Sequence, residues 1–370
     1  MSDHPYKSLP DQAFWRRAVA DRPIAAVDPV VRTPDRIART DKVATAGSCF
    51  ARHIARRLRD AGYNHYVTEP AHPIVDPEKA EEYNYGVYTA RFGNIDTSQQ
   101  LVQLWRRAHG RFVPVDDAWP TEEGTFLDPY RPQIQPRGFA TREELEVDRA
   151  KHLRCVREAF ETLDVFVFTL GLTETWRNRA DGAVYPVCPG VAGGRFDPAK
   201  HEFLNFSAGE ILRDMLSFVD ALKTVNRSAR MILTVSPVPP VATATRNHVL
   251  TATTYSKSVL RVVCGEVVRH RPWVEYFPSY EIVTGNYSRG AYYAEDCRSV
   301  TEAGVSHVTD VFFRHYTEDG APAAEPARDE AERGGSEAEP VTPARAGDAH
   351  TQAMAALVQV HCDETRLDAT

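Results

Sequence analysis

Four short runs of this chain are apolar on both faces, and that pattern admits few folds. They are KVATAGS (42–48), DVFVFTLG (164–171), ARMILTVSP (229–237) and WVEYFPSYE (273–281). A strand with one wet face alternates apolar and polar residues; these do not, so they belong to a sheet covered on both sides. Amphipathic stretches lie between them, REELEVDRAKHLRCVREAFETL (142–163) before the second run and AGEILRDMLSFVDALKTV (208–225) before the third. A further one, TEAGVSHVTDVFFRHY (301–316), sets Val305, Val308, Phe312 and Tyr316 along one stripe. Strands alternating with helices in this way predict an α/β fold, a three-layer α/β/α sandwich with a mainly parallel sheet.

Residues 65–137 break this rhythm. Segments such as EEYNYGVYTARFGNIDT and DDAWPTEEGTFLDPYRPQIQP are rich in Tyr, Trp, Pro and Gly, and they read as long ordered insertions over one edge of the sheet. In open α/β sheets the ligand crevice lies outside the carboxyl ends of the strands, where such insertions shape the site.

The formal net charge of −7 sits at the C-terminal end. Residues 318–349 hold nine acidic side chains against three arginines, in a setting of Ala, Pro and Gly that buries too little apolar surface to offset its ordering entropy. The expected division is a folded domain over 1–317 and a disordered acidic tail over 318–370. Within the tail, TQAMAALVQVHC (351–362) can form a short helix with Met354, Leu357, Val358 and His361 on one face. The body that remains is near neutral, which leaves no basic footprint for a nucleic acid.

No run approaches the roughly 18 apolar residues of a membrane span, and the opening MSDHPYKSLPDQAFWRRAV lacks the apolar centre of a secretion signal. The cytoplasm is the expected location, with no membrane partner. Six cysteines without a CxxC pair suggest neither a disulfide framework nor a zinc site, and most are expected to be buried as small hydrophobes.

The first apolar run ends in AGSCFARHIARRL (46–58), a strand, a sharp turn and a helix with Ile54 and Leu58 on its apolar side and Gly62 as its stop. Gly47 allows the tight turn. Ser48 and Cys49 fall where the first backbone N–H groups of the helix point outward, a place that stabilises an anion, lowers a thiol pKa and can form half of an oxyanion hole. The same positions also suit a plain N-cap serine and a packing cysteine.

The pentapeptide GSCFA at 47–51 resembles the signature of the GSCFA family, and the resemblance runs on through HPYKSLPDQAFWRRAV, FGNIDT, VFTLGLTETW, ILTVSPVP, ATTYSKSVLR and FPSYEI. That family is grouped with the SGNH (GDSL-like) hydrolases, so the resemblance implies their sandwich fold and their attack on an ester by a serine ending the first strand. Laying Gly47 on the glycine of the superfamily's Gly-Asp-Ser puts the nucleophile at Cys49; a shift of one residue puts it at Ser48. The thiol has the intrinsic nucleophilicity and the serine has the superfamily's habit, and both stay open.

The oxyanion hole implied by the resemblance draws on a glycine of a second block and an asparagine of a third. Gly93 and Asn94 in FGN correspond to the second; Gly171-Leu172-Thr173-Glu174 corresponds to the third, with the Thr173 hydroxyl in the asparagine's place. The final Asp-x-x-His block departs. Asp296 keeps the acid, but Ser299 stands where the histidine belongs, which takes the base away from a serine nucleophile. Two other histidines are candidates: His248, on the loop after the third run, and His307, inside the last helix. Glu174 and Trp176 are candidate substrate contacts, and Lys257 in SKS is placed to hold an anionic group or to act as an alternative base.

These readings point to an esterase or acyltransferase acting on an O-acyl, for instance acetyl, ester of a carbohydrate or small metabolite. The resemblance implies no metal or organic cofactor. The missing histidine also admits a reading from another class, an inactive SGNH-like domain that binds carbohydrate or serves in assembly.

Overall fold

The computed structural model describes residues 4–32 and 35–320. In chain order its elements are β1 (Val43–Gly47), α1 (Ala51–Asp60), α2 (Pro77–Glu82), α3 (Ser98–Ala108), β2 (Trp119–Pro120), β3 (Phe126–Leu127), α4 (Arg142–Thr162), β4 (Val165–Leu170), β5 (Glu174–Asn178), β6 (Val184–Tyr185), β7 (His201–Asn205), α5 (Ala208–Val225), β8 (Arg230–Val235), α6 (Val249–His270), β9 (Val274–Tyr276), α7 (Ser279–Thr284) and α8 (Glu302–Tyr316). The four apolar runs supply a parallel sheet in the order β1-β4-β8-β9. Its strands pair so that Gly47 lies opposite Thr169, and Leu170 opposite Val235.

Successive side chains of a strand point to opposite faces, and here each face meets its own core. Ala44, Ala46, Phe166, Phe168, Met231 and Leu233 pack with α3, α4, α5 and α6. Val43, Val165, Val167 and Ile232 pack with α1, α7 and α8. This is the expected three-layer α/β sandwich. The stripe read on the last helix is buried in full, with Phe312 stacked on Tyr316 and edge-on to Phe277. The fourth run is corrected: only Val274–Tyr276 is strand, because Pro278 has no N–H to donate to a ladder and the chain turns into α7.

The insertion at 65–137 is a mixture of helix, hairpin and loop, tied to α4 by buried ions. Arg91 donates to the backbone of Tyr83 and Ile134 and to Asp148, each at 2.8–2.9 Å, while Arg131 bridges Asp128 and Asp148 at 3.0 Å. Glu69 accepts from His152 of α4 at 2.7 Å and from the Arg91 N–H. Burial pulls the Glu69 carboxyl up, but His152 and Arg131 outweigh it and hold it down at about 2. A second, antiparallel sheet, β6-β5-β7, leaves the end of β4, and its Tyr185 packs on Trp119 and Leu127 of the hairpin.

The body does not stop at residue 317. Glu318 accepts from the Arg39 N–H at 3.0 Å, and Asp319 accepts from the Tyr63 hydroxyl at 2.8 Å, so the fold runs on to Gly320. The expected tail from 321 onward, including its short helix at 351–362 and Cys362, lies outside the described residues. Among the described residues no helix is long and apolar enough to cross a membrane. The five described cysteines are free thiols, but Cys264 alone of them is buried, Cys49, Cys155 and Cys188 are half-buried and Cys297 is exposed.

Candidate active site

The carboxyl ends of β1, β4 and β8 open into one small cleft. Gly47 adopts φ +133°, and a Cβ there would be driven into the Thr169 carbonyl and lie 2.7 Å from its nitrogen. Only glycine lets β1 pass β4 and turn so sharply. Past the turn, the Ser48 N–H donates to the Thr169 carbonyl at 3.0 Å, and the carbonyls of Ser48, Cys49 and Phe50 accept from Ala51, Arg52 and His53 at 2.9–3.2 Å. The helix therefore starts from a tight backbone turn with no side-chain cap, so Ser48 is not an N-cap. Its side chain is 4% exposed, and its Oγ has no hydrogen-bond partner among the described residues.

Residues 94–96 are stitched between the two strand ends. The Ile95 N–H donates to the Gly47 carbonyl, and the Asp96 carbonyl accepts from Gly171 and Leu172, all at 2.9 Å. Gly171 is crowded for another reason: a Cβ there would collide with Asp96 Oδ1 and come within 3.1 Å of Ser48 Cβ. Lys257, 1% exposed on α6, donates its Nζ to the Gly171 carbonyl at 2.7 Å and so fixes this turn. Asn94 accepts at Oδ1 from the Tyr88 hydroxyl at 2.7 Å, which orients its amide.

The remaining wall comes from the loop after β8, with Ser236, and from the turn before α8, with Arg298. Asp296 builds that turn. Its carboxylate accepts from the N–H groups of Arg298 and Ser299 at 2.9 and 2.8 Å and from the Ser299 hydroxyl at 2.6 Å. Burial pulls the Asp296 carboxyl up, but these bonds prevail and hold it below the usual carboxylate range. Arg298 then donates Nε to the Pro239 carbonyl at 3.0 Å, at the border of the cleft. The space open to the centre of a water molecule is about 20 Å³, room for one water.

Of the residues singled out from the sequence, Ser48, Cys49, Asn94 and Gly171 line this cleft, and Gly93 lines the next cavity, which shares Asn94. Others go elsewhere. Thr173 is buried, and its hydroxyl donates to Asn205 of β7 at 2.7 Å, so it is not aimed at an oxyanion. Glu174 accepts from the Thr243 hydroxyl and the Ala244 N–H, pinning the loop after β8. Trp176 packs in the small sheet against Phe196 and Phe203.

Neither candidate base reaches the cleft. His248 is exposed and caps α6, its Nδ1 accepting from the Leu250 N–H at 3.2 Å. His307 is buried beyond the sheet, with Nδ1 at 2.6 Å from the Tyr292 hydroxyl and Nε2 at 2.9 Å from the Val27 carbonyl. Three polar lining residues were not singled out from the sequence: Asp96, Ser236 and Arg298. Asp96 sits two residues past Asn94 within FGNIDT, and Arg298 sits inside the Asp-x-x-Ser block, so both were adjacent to recognised signals.

A model of the GSCFA family matches residues 42–312. The chain belongs to the GSCFA family. The match spans the GSCFA turn itself, the segment 94–96, the β4 end and the Arg298 turn, so every wall of the cleft lies within the family region of this GSCFA protein. Among solved structures it is similar to an acetyl xylan esterase from the rumen bacterium Butyrivibrio proteoclasticus, at 12% identity and a TM-score of 0.23, over 67% of this chain and 57% of that one. The GSCFA protein thus aligns with little more than half of that enzyme's length. No curated protein matches it.

Proposed function

We propose that this GSCFA protein is an SGNH-like esterase or acyltransferase in which Cys49 attacks the acyl carbon of an O-acyl ester on a carbohydrate or small metabolite. One observation carries the reading: a thiol, a carboxylate, an amide and a guanidinium, from Cys49, Asp96, Asn94 and Arg298, border one cleft at the carboxyl ends of three parallel strands. The choice of thiol over hydroxyl rests on two features. No imidazole among the described residues lines the cleft, and a thiol, ionising near 8.5 in its free state, needs a far weaker proton acceptor than a serine hydroxyl. The Ser48 N–H is spent on the Thr169 carbonyl, so an attack by Ser48 lacks its own amide as an oxyanion donor.

In the step proposed, Cys49 Sγ bonds to the acyl carbon, Asp96 takes the thiol proton, and Arg298 with the Asn94 amide stabilises the oxyanion. The carbon–oxygen bond to the alcohol then breaks, and the alcohol leaves with the proton. Water, or a second alcohol, attacks the thioester, releases the acyl product and restores the thiol. A cleft with room for one water favours a short acyl group such as acetyl. A cytoplasmic setting belongs to the same proposal.

The test is turnover of aryl acetate, butyrate and octanoate esters. Cys49→Ala is expected to lose at least about 100-fold in kcat/KM and Ser48→Ala less than about tenfold, with acetate preferred. The reverse order would move the nucleophile to Ser48. A second reading, binding without turnover, is favoured by Ser299 in the histidine's place; it gains if no ester turns over while acylated sugars still bind.

A further inference from the structure

A groove lined by arginines near the cleft has no part in the chemistry just described. It runs along α1 and encloses about 520 Å³, the size of a sugar rather than of a water molecule. Arg52, Arg56 and Arg59 project into it from successive turns of one helix face. Against these three cations the groove's lining holds one carboxylate, Glu81, at 3.6 Å from Arg56; Asp60, outside the lining, lies 3.9 Å from Arg59 Nε. Arg59 donates to the Gly86 carbonyl at 3.3 Å, and Tyr85 adds an aromatic wall.

Arg52 is the distinctive member. It is half-buried, and among the described residues it forms no ion pair and its side chain no hydrogen bond. A guanidinium partly out of water and without a carboxylate is costly unless an anion joins it. The excess positive charge is felt locally, since burial and then Arg52 and Arg56 push His53 down to about 4.

The groove also leads toward Cys49. Arg52 lines the next cavity too, together with Gly93 and Asn94, and Asn94 lines the Cys49 cleft. Arg52 is also joined directly to the Cys49 backbone, its N–H donating to the Cys49 carbonyl at 3.2 Å in the turn that opens α1.

We infer that this groove binds a carboxylate or phosphate carried by a sugar-sized ligand, with Arg52 as its main contact. That the ligand is the acyl-bearing substrate rests on the function proposed above; the anion site itself does not. The test uses the full chain carrying Cys49→Ala, titrated calorimetrically with glucuronate, glucose 6-phosphate and glucose. At least one anion is expected to bind and glucose not; glucuronate alone assigns a carboxylate, glucose 6-phosphate alone a phosphate. Arg52→Gln should weaken anion binding about tenfold or more, as loss of a charge-assisted pair implies, while Arg57→Gln on the opposite side of α1 changes nothing. Unchanged thermal midpoints show that the variants fold.

Equal binding of glucose, no effect of an Arg52→Gln/Arg59→Gln pair, or no anion binding up to about 10 mM would each overturn the proposal. Because binding is read without turnover, an absent esterase activity leaves this result intact. An absent anion site likewise leaves Cys49 chemistry to stand or fall by itself.

Discussion

Two glycines and one lysine define the site more tightly than its polar side chains do. Gly47 holds φ +133° against the backbone of Thr169, so Gly47→Ala combines a disfavoured conformation with a backbone collision. It is expected to cost about 2–4 kcal/mol, seen as a lower urea midpoint at constant m-value. Gly171→Ala acts differently. Its new methyl meets the Asp96 carboxylate and approaches Ser48, so it should block the cleft and abolish turnover while shifting stability less than Gly47→Ala does. Of the two, the sequence made Gly47 legible through its turn and Gly171 through its block; the reason for glycine is in each case a contact between segments distant in the chain, with Thr169 of β4 for Gly47 and with Asp96 in the loop before α3 for Gly171. Lys257 was read as an anion contact or alternative base, but its burial and its bond to the Gly171 carbonyl are tertiary facts.

At the scale of elements, the helices α1, α4, α5 and α8 and the central strands followed from periodicity because packing and propensity agree there, whereas α6 was not read as a helix. The helix α5 carries a full capping box, with Ser207 accepting from the Glu210 N–H and Glu210 accepting from that of Ser207. The α8 stripe was equally plain, and Phe312→Ala should cost about 3–5 kcal/mol by opening the core between α8 and the sheet. His248 was the misreading at this scale, since a polar residue at the start of a helix has two uses. As an N-cap it predicts that His248→Ala lowers stability by about 1 kcal/mol and leaves the pH profile of ester turnover unchanged. A profile that loses its acid limb would return His248 to the chemistry.

For the molecule as a whole, one buried and two half-buried histidines shape the response to mild acid. Burial pushes His152 down to about 4, with Arg131 acting the same way and Glu69 offsetting part of it; His53 and His65 are also held near 4, chiefly by burial. A histidine whose folded pKa lies below its unfolded value takes up its proton more readily in the unfolded chain. Stability is therefore complete above about pH 6.5 and falls as pH drops toward 4, by up to about 1.4 kcal/mol per pH unit for each such histidine. A urea midpoint that stays level from pH 7 to about 4.5 would show that these rings are not neutral in the fold. By itself the sequence determined the layered α/β architecture, the strand runs and the turn at Gly47, because periodicity and local backbone sterics act over a few neighbouring residues. Only the tertiary structure decided which side chains share the cleft, brought Asp96 and Arg298 into it, turned Thr173, His248 and His307 away and opened the arginine groove beside it. Those outcomes depend on how distant segments are clamped together, by the buried ions around Arg91 and Arg131 and by backbone bonds between strand ends, and no short-range pattern encodes such distances.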